Sequence, residues 1–182
     1  EDYEILIVDG RPPVTIDDVF VLDEGDAILV TDELSVLEND QDANGDNIRV
    51  FDFDSTSAMG AEVFVQTAGW ATPGSPALSD LGWFDYLTEP IDPITLLPTP
   101  VPAIDVLKQG EQAFDTFTYS LIEDQANPNG FGFRSIDRGT VTIELTGVND
   151  DPVVPTVPVT IQAQEDGQSV TEAFGATDVD ND

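Results

Sequence analysis

The stretch FDTFTYSLIED, residues 114–124, alternates apolar and polar side chains with a period of two. Phe117, Tyr119 and Leu121 fall on one face of an extended chain. A second stretch, GTVTIELTGVND (139–150), repeats the pattern. There Val141, Ile143 and Leu145 share one face, and Thr142, Glu144 and Thr146 the other. A period of two with one apolar face predicts antiparallel strands packed on a core from one side, and hence an all-β sandwich. Shorter apolar runs with turn residues between them support the same reading, among them VFVL, IRVF and AEVFV. Helical periodicity is scarce.

The middle of the chain departs from this pattern. Residues 68–104, AGWATPGSPALSDLGWFDYLTEPIDPITLLPTPVPAI, hold both Trp residues and most of the Pro. Proline at that density interrupts strand ladders. The expectation is long loops around one short strand in GWFDY (82–86). ITLLPTPVPAI (94–104) is expected to run as an extended or polyproline segment on the surface.

Charge bounds the function. Of 182 residues, 37 are Asp or Glu and only 5 are Lys or Arg, a formal net charge of -32. Such a chain cannot neutralise nucleic-acid phosphates, and it is repelled by anionic lipid. Hydrophobic content of 40% is still enough for a packed core. With no Cys and no His, disulfides, thiol and imidazole catalysis and the usual zinc ligands are excluded. Oxygen ligands remain, and they select hard cations, Ca²⁺ or Mg²⁺. No signal peptide or membrane-spanning run is visible, so direct membrane insertion is not expected. The first residues read as the middle of a strand, so the chain is expected to be a window on something longer.

The chain also echoes itself. Residues 12–46 and 151–182 share a layout: Pro and Val, a strand, an acidic turn (DEGD, QEDG), a second apolar stretch and a closing acidic cluster. EILIVDGRPPV near the start echoes TIELTGVNDDPVV. A repeat of roughly 140 residues would then restart near Asp151. The expected division is 1–10 as the last strand of a preceding repeat, 11–150 as one complete repeat and 151–182 as the opening strands of the next.

Several of these segments resemble a known family. AIDVLKQGEQAFDTFTYSLIED followed by GTVTIELTGVNDDPVV resembles the end of a VCBS repeat, of the bacterial cadherin-like group found in giant secreted RTX-type adhesins and surface proteins. The positions that carry the likeness are Leu107, Gly110, Glu111, Asp115 to Tyr119, Asp124, Val141 to Leu145 and Gly147 to Val153. GWFDY, DEGD and LENDQDANGD (37–46) resemble further segments of that family more loosely. The Pro-rich middle and QANPNGFGFRSIDRG (125–139) depart from it. The resemblance implies an immunoglobulin/cadherin-like antiparallel sandwich, a secreted or cell-surface location, tandem neighbours, and Ca²⁺ near the domain junctions. It implies no catalytic activity.

Two candidate ion sites follow from that arrangement. The first would combine Asp9, Asp17 or Asp18, Glu24, Asp40 and Asp42, with Asp46 in the same loop. The second would combine Asn149, Asp150, Asp151, Glu165, Asp178 and Asp180. Asp40, Asp42, Asn44, Gly45 and Asp46 also match the first half of an EF-hand, but its twelfth position is Phe51, where a bidentate Glu belongs. Asp80, Asp85 and Asp137 read as surface residues. With 37 acidic residues no glycosidase-like pair can be singled out. The resemblance places Lys108, the only lysine, in an exposed turn, which argues against a crosslink.

Three functions remain in play. One is a Ca²⁺-stiffened repeat of an adhesin or surface fibre. Another is a filament subunit whose strands complement an identical subunit head to tail. The third is a carbohydrate-binding module in which Trp70, Trp83, Phe84 and Tyr86 would contact surface glycans.

Overall fold

The computed structural model describes residues 12–43, 45, 47–65, 82–123, 136–154 and 175–180. The strands are β1 (Asp18–Asp23), β2 (Ala27–Ile28), β3 (Ile48–Phe53), β4 (Glu62–Val65), β5 (Phe84–Leu87), β6 (Gln112–Glu123) and β7 (Ile136–Thr146). A 3-10 turn at Val30–Asp32 is the only helical element among the described residues. The fold is all-β.

The two alternating stretches pair with each other. β6 and β7 run antiparallel from Gln112↔Thr146 to Ile122↔Ile136 without a register shift. Their apolar faces agree with the period of two: Phe117, Tyr119, Leu121, Val141, Ile143 and Leu145 are all buried. Each such side chain contributes roughly 1.5–3 kcal/mol by leaving water. β3 adds to the far side of β6 and β1 to the far side of β7, giving the order β1-β7-β6-β3. A second sheet has the order β2-β5-β4. The sheets meet through aromatic contacts. The ring of Phe84 on β5 lies 5.0 Å from Phe20 on β1 and 5.6 Å from Phe117 on β6.

Two features differ from the sequence expectation. The β1–β7 pair is parallel, in register from Asp18↔Val141 to Asp23↔Thr146, so the larger sheet is mixed rather than wholly antiparallel. Alternation within β1 reports which face is buried and carries no information about strand direction. The Pro-rich segment is also not wholly a surface strand. Ile94, Leu96 and Leu97 are exposed, but Val101 and Ile104 are buried in the core. Residues 102–106 form turns, with the amides of Ile104 and Asp105 both donating to the Val101 carbonyl. Proline prevents a ladder there, but it does not prevent burial of the apolar residues between the turns.

The alternation of β6 also turns Asp115 inward, where its exposure is 0%. Oδ1 accepts the amides of Met59 and Thr116, each at 2.8 Å, and Oδ2 accepts the Tyr86 hydroxyl at 2.7 Å. That last bond ties β6 in one sheet to β5 in the other. Burial, and then the Asp115 carboxylate, hold the Tyr86 hydroxyl well above the ordinary tyrosine range, so it remains a donor. Replacing Tyr86 with Phe strands a buried carboxylate oxygen. The expected loss is about 2 kcal/mol of unfolding free energy, read by urea denaturation.

Candidate metal centre

The direction of β1 decides which carboxylates meet. Because β1 is parallel to β7, its C-terminal end arrives beside the C-terminal end of β7. The DEGD turn follows at once, closed by the Asp26 amide on the Asp23 carbonyl, with Gly25 at φ 78°. Glu24 donates its amide to the Thr146 carbonyl at 2.8 Å and accepts the Val148 amide on Oε2 at 3.1 Å. Gly147 lets the chain after β7 press against the turn at 107–111. A Cβ at that position would lie 2.3 Å from the Lys108 carbonyl oxygen. Mutual bonds between Gly147 and the Gly110–Glu111 backbone, both 2.8 Å, fix the contact. Asp105 enters from the turn that begins at buried Val101.

The result is a cluster of Glu24, Asp105 and Asp150, each half-buried, with one carboxylate oxygen apiece all within 4.8 Å of one another. Val101, Ile104 and Val148 form apolar walls of the cleft they line. Asp180 joins from the segment beyond β7. Its exposure is 2%, and its Oδ2 accepts the Asp150 amide at 2.9 Å. Asp178 holds the Asp180 amide at 3.0 Å. Oxygens Glu24 Oε1, Asp150 Oδ2 and Asp180 Oδ1 are buried and have no hydrogen-bond partner. Buried acceptors left without partners are costly. Burial is the first cause holding the pKa values of Glu24 and Asp150 above the usual carboxylate range. Neighbouring carboxylates add to it: Asp180 and Asp105 act on Glu24 and on Asp150, and Glu89 acts on Asp150.

This donor set suits one kind of ligand. Three carboxylates from three chain segments, with Asp180 bonded to the Asp150 amide beside them, supply hard oxygen atoms in an irregular arrangement. Ca²⁺ takes six to eight such oxygens in flexible geometry, whereas Mg²⁺ demands a near-ideal octahedron.

The structure regroups the residues expected from sequence. Glu24, placed with the first group, sits with Asp150 and Asp180 of the second, because β1 carries it to the opposite end from Asp18. Asn149 is exposed and donates its side-chain amide to the Asp150 carbonyl, and Asp151 is exposed. Asp178 stands behind Asp180. In the first group, both Asp40 oxygens are engaged, Oδ1 by the Ile16 amide and Oδ2 by the Tyr119 hydroxyl, each at 2.8 Å. Asp17 accepts the Thr140 amide at 2.9 Å. Asp17 and Asp40 act here as hydrogen-bond acceptors, and neither belongs to the Glu24–Asp105–Asp150 cluster. Asp42 is half-buried in the turn that ends at Gly45. Asp9, Asp46 and Glu165 lie outside the described residues.

Sequence reading missed Asp105, which lies within AIDVLKQG with no acidic neighbour to mark it. Of the three carboxylates read as surface residues, Asp80 lies outside the described residues and the other two also prove structural. Asp85 takes the Val30 amide and Asp137 the Thr15 amide and hydroxyl. Of the aromatics considered for glycans, Phe84 and Tyr86 are core residues at 0% exposure, Trp83 is half-buried, and Trp70 lies outside the described residues.

Comparison of the chain with protein-family models, with curated proteins and with solved structures gives no match. Among the described residues, no helix is long and apolar enough to cross a membrane.

The centre depends on the close approach at Gly147. Gly147→Ala forces a methyl group into the Lys108 carbonyl and is expected to destabilise the fold by about 1–3 kcal/mol. Gly110→Ser provides the comparison, because nothing crowds a Cβ there. Its loss comes only from its positive φ and is expected to be smaller. Chemical denaturation of the two variants measures the difference.

Proposed function

We propose that this chain is a Ca²⁺-clamped, immunoglobulin/cadherin-like sandwich module of the VCBS type, working as a structural repeat in a secreted bacterial adhesin or surface fibre. The observation that carries the reading is the convergence of Glu24, Asp105 and Asp150 with buried, unpartnered oxygens, joined by Asp180 from beyond β7. Those oxygens lack a positive partner, and Ca²⁺ supplies one. The role is mechanical. Without the ion, four carboxylates repel and the 175–180 segment loosens from residues 148–150. With the ion, the segment is held against the end of the sandwich and the junction stiffens. Binding to the folded form alone also raises stability by mass action.

Calorimetric titration with Ca²⁺, paired with thermal unfolding, tests the reading. The expected result is a dissociation constant on the order of 10⁻⁴–10⁻³ M, as in other extracellular modules, with a rise in melting temperature. Asp105→Asn and Asp150→Asn are each expected to weaken binding about tenfold, ~1.4 kcal/mol. No heat and no stabilisation in millimolar Ca²⁺ would overturn it.

The filament reading keeps one supporting observation. Among the described residues β1 has a partner on one side only, and Val19 and Val21 beside that open edge are 60% and 70% exposed. An open edge is a template for a strand from another copy. Electron microscopy of the isolated protein separates the readings: head-to-tail fibres favour strand exchange, and dispersed particles count against it.

A further inference from the structure

The Pro-rich segment after β5 carries an apolar surface that the acidic cluster does not use. Residues 90–99 fold back on themselves as a short hairpin. Ile91 and Pro98 face each other across it, and the Asp92 amide donates to the Leu97 carbonyl and the Thr99 amide to the Pro90 carbonyl, both at 3.0 Å. At the tip, Asp92 Oδ1 accepts the Ile94 and Thr95 amides at 2.7 and 2.8 Å, and the Asp92 carbonyl accepts the Leu96 amide at 2.8 Å. The base is anchored, because the Val101 amide donates to the Thr88 carbonyl at 2.9 Å and both residues are buried. On this fixed frame Ile91, Ile94, Leu96 and Leu97 are 56%, 89%, 73% and 63% exposed, so four large aliphatic side chains face solvent together. Apolar surface gathered in this way marks a contact site.

Three properties of the hairpin say what it contacts. Leu96 is held at φ 58°, in the left-handed region that favours glycine. Backbone strain kept at a position that shows a leucine to solvent points to function. Charge is nearly absent: Asp92 is the only ionisable residue from Pro90 to Ile104, in a chain of net charge -32. The backbone is also largely self-sufficient. The amides of Asp92, Ile94, Thr95, Leu96 and Thr99 find acceptors within the hairpin, and Pro93 and Pro98 have none to satisfy. Internal pairing of backbone groups is what an apolar phase demands. Four side chains are too few for a stable protein interface, which takes roughly 800 Å² from each partner. A wider contact would take in the hairpin base, where Glu24, Glu89 and Asp105 line the cleft. A bilayer needs no matching pocket and can be met by the tip alone.

We propose that the 90–99 hairpin docks on a lipid bilayer with neutral, zwitterionic headgroups, placing Ile91, Ile94, Leu96 and Leu97 at the boundary between headgroups and acyl chains. The contact is peripheral, about 5–10 Å deep, and requires no membrane-spanning run. Net charge selects the lipid. The carboxylates of the chain repel anionic headgroups, and no Lys or Arg lies on the hairpin to attract them. Neutral headgroups exert no such repulsion. Docking of this kind does not depend on an ion at Glu24, Asp105 and Asp150.

The test is flotation of the full chain, in chelator, with vesicles of phosphatidylcholine alone and of phosphatidylcholine mixed with phosphatidylserine. The parent is expected to float with the neutral vesicles and less with the mixed ones. Ile94→Asn and Leu96→Asn are each expected to weaken partition into neutral vesicles about tenfold. Asparagine tolerates the left-handed backbone at position 96. Val21→Thr, on the exposed edge strand, is expected to leave partition unchanged. A parent that does not float with neutral vesicles overturns the proposal. So does flotation that the tip substitutions leave intact, or that requires anionic lipid. Self-association of the parent that Leu96→Asn abolishes, without flotation, overturns it in favour of a second copy as the occupant. Should the asparagine variants fail to fold, Leu97→Cys decides, since the chain has no cysteine of its own. An environment-sensitive dye there is expected to shift to the blue and to escape aqueous quenching when neutral vesicles are added, and a dye that stays quenchable overturns the docking.

Discussion

Everything in this molecule answers to one electrostatic constraint: 37 acidic side chains are matched by only 5 basic ones. Ion pairing cannot absorb them. The Arg138–Asp54 pair is 3.6 Å long and solvent-exposed, so it contributes little. The carboxylates are used instead as acceptors for backbone amides that loops would otherwise leave unpaired. Asp85 takes Val30, Asp40 takes Ile16, Asp137 takes Thr15, Asp54 takes Thr118, and Asp92 takes Ile94 and Thr95. Bonds of this kind favour the charged form. Asp92 and Asp137 are held below the usual carboxylate range, with amide donors as the first cause. The acidic composition thus performs part of the work that regular ladders perform in longer-stranded sandwiches.

The supply of donors runs short in two places, one at each end of β1. At the Glu24 end, carboxylate oxygens from three segments face one another with too few N–H groups among them, in a cleft lined by Val101, Ile104 and Val148. At the Asp18 end, two carboxylates share a single hydroxyl in a site closed by the Tyr119 ring. The first is a deficit of positive charge, and it is the basis of the proposed Ca²⁺ clamp. Burial raises carboxyl pKa values at both ends.

Much of the fold was legible in the sequence because β6 and β7 alternate strictly. Every apolar residue assigned to their inner faces is buried, and the GWFDY stretch does contain β5. The same alternation places Asp115 on the inner face, but nothing local reveals that Tyr86 and the Met59 amide lie opposite to receive it. Val101 and Ile104 were hidden by the prolines around them. The acidic cluster was half legible. Asp150 and Asp180 stand out as members of acidic clusters, whereas Asp105 has no acidic neighbours and becomes a candidate only when turns at 102–106 carry it to Glu24. Local pattern reports the face a residue occupies, and long-range pairing reports its company.

The parallel pairing of β1 with β7 is where that distinction matters most. Six residues at about 3.3 Å each separate the ends of β1 by roughly 20 Å, so Asp18 and Glu24 cannot serve one ion. An antiparallel β1 would have brought Asp17 and Asp18 beside Asp150 and sent the DEGD turn to the far end, against the 36–41 loop. The parallel register Asp23↔Thr146 does the reverse. It delivers Glu24 to the residues that follow β7, where its Oε2 takes the Val148 amide and its Oε1 stays free for a ligand. The direction of one edge strand therefore decides which carboxylates share an end of the sheet, and it places the Glu24–Asp105–Asp150 cluster at the end from which the chain continues towards Asp180.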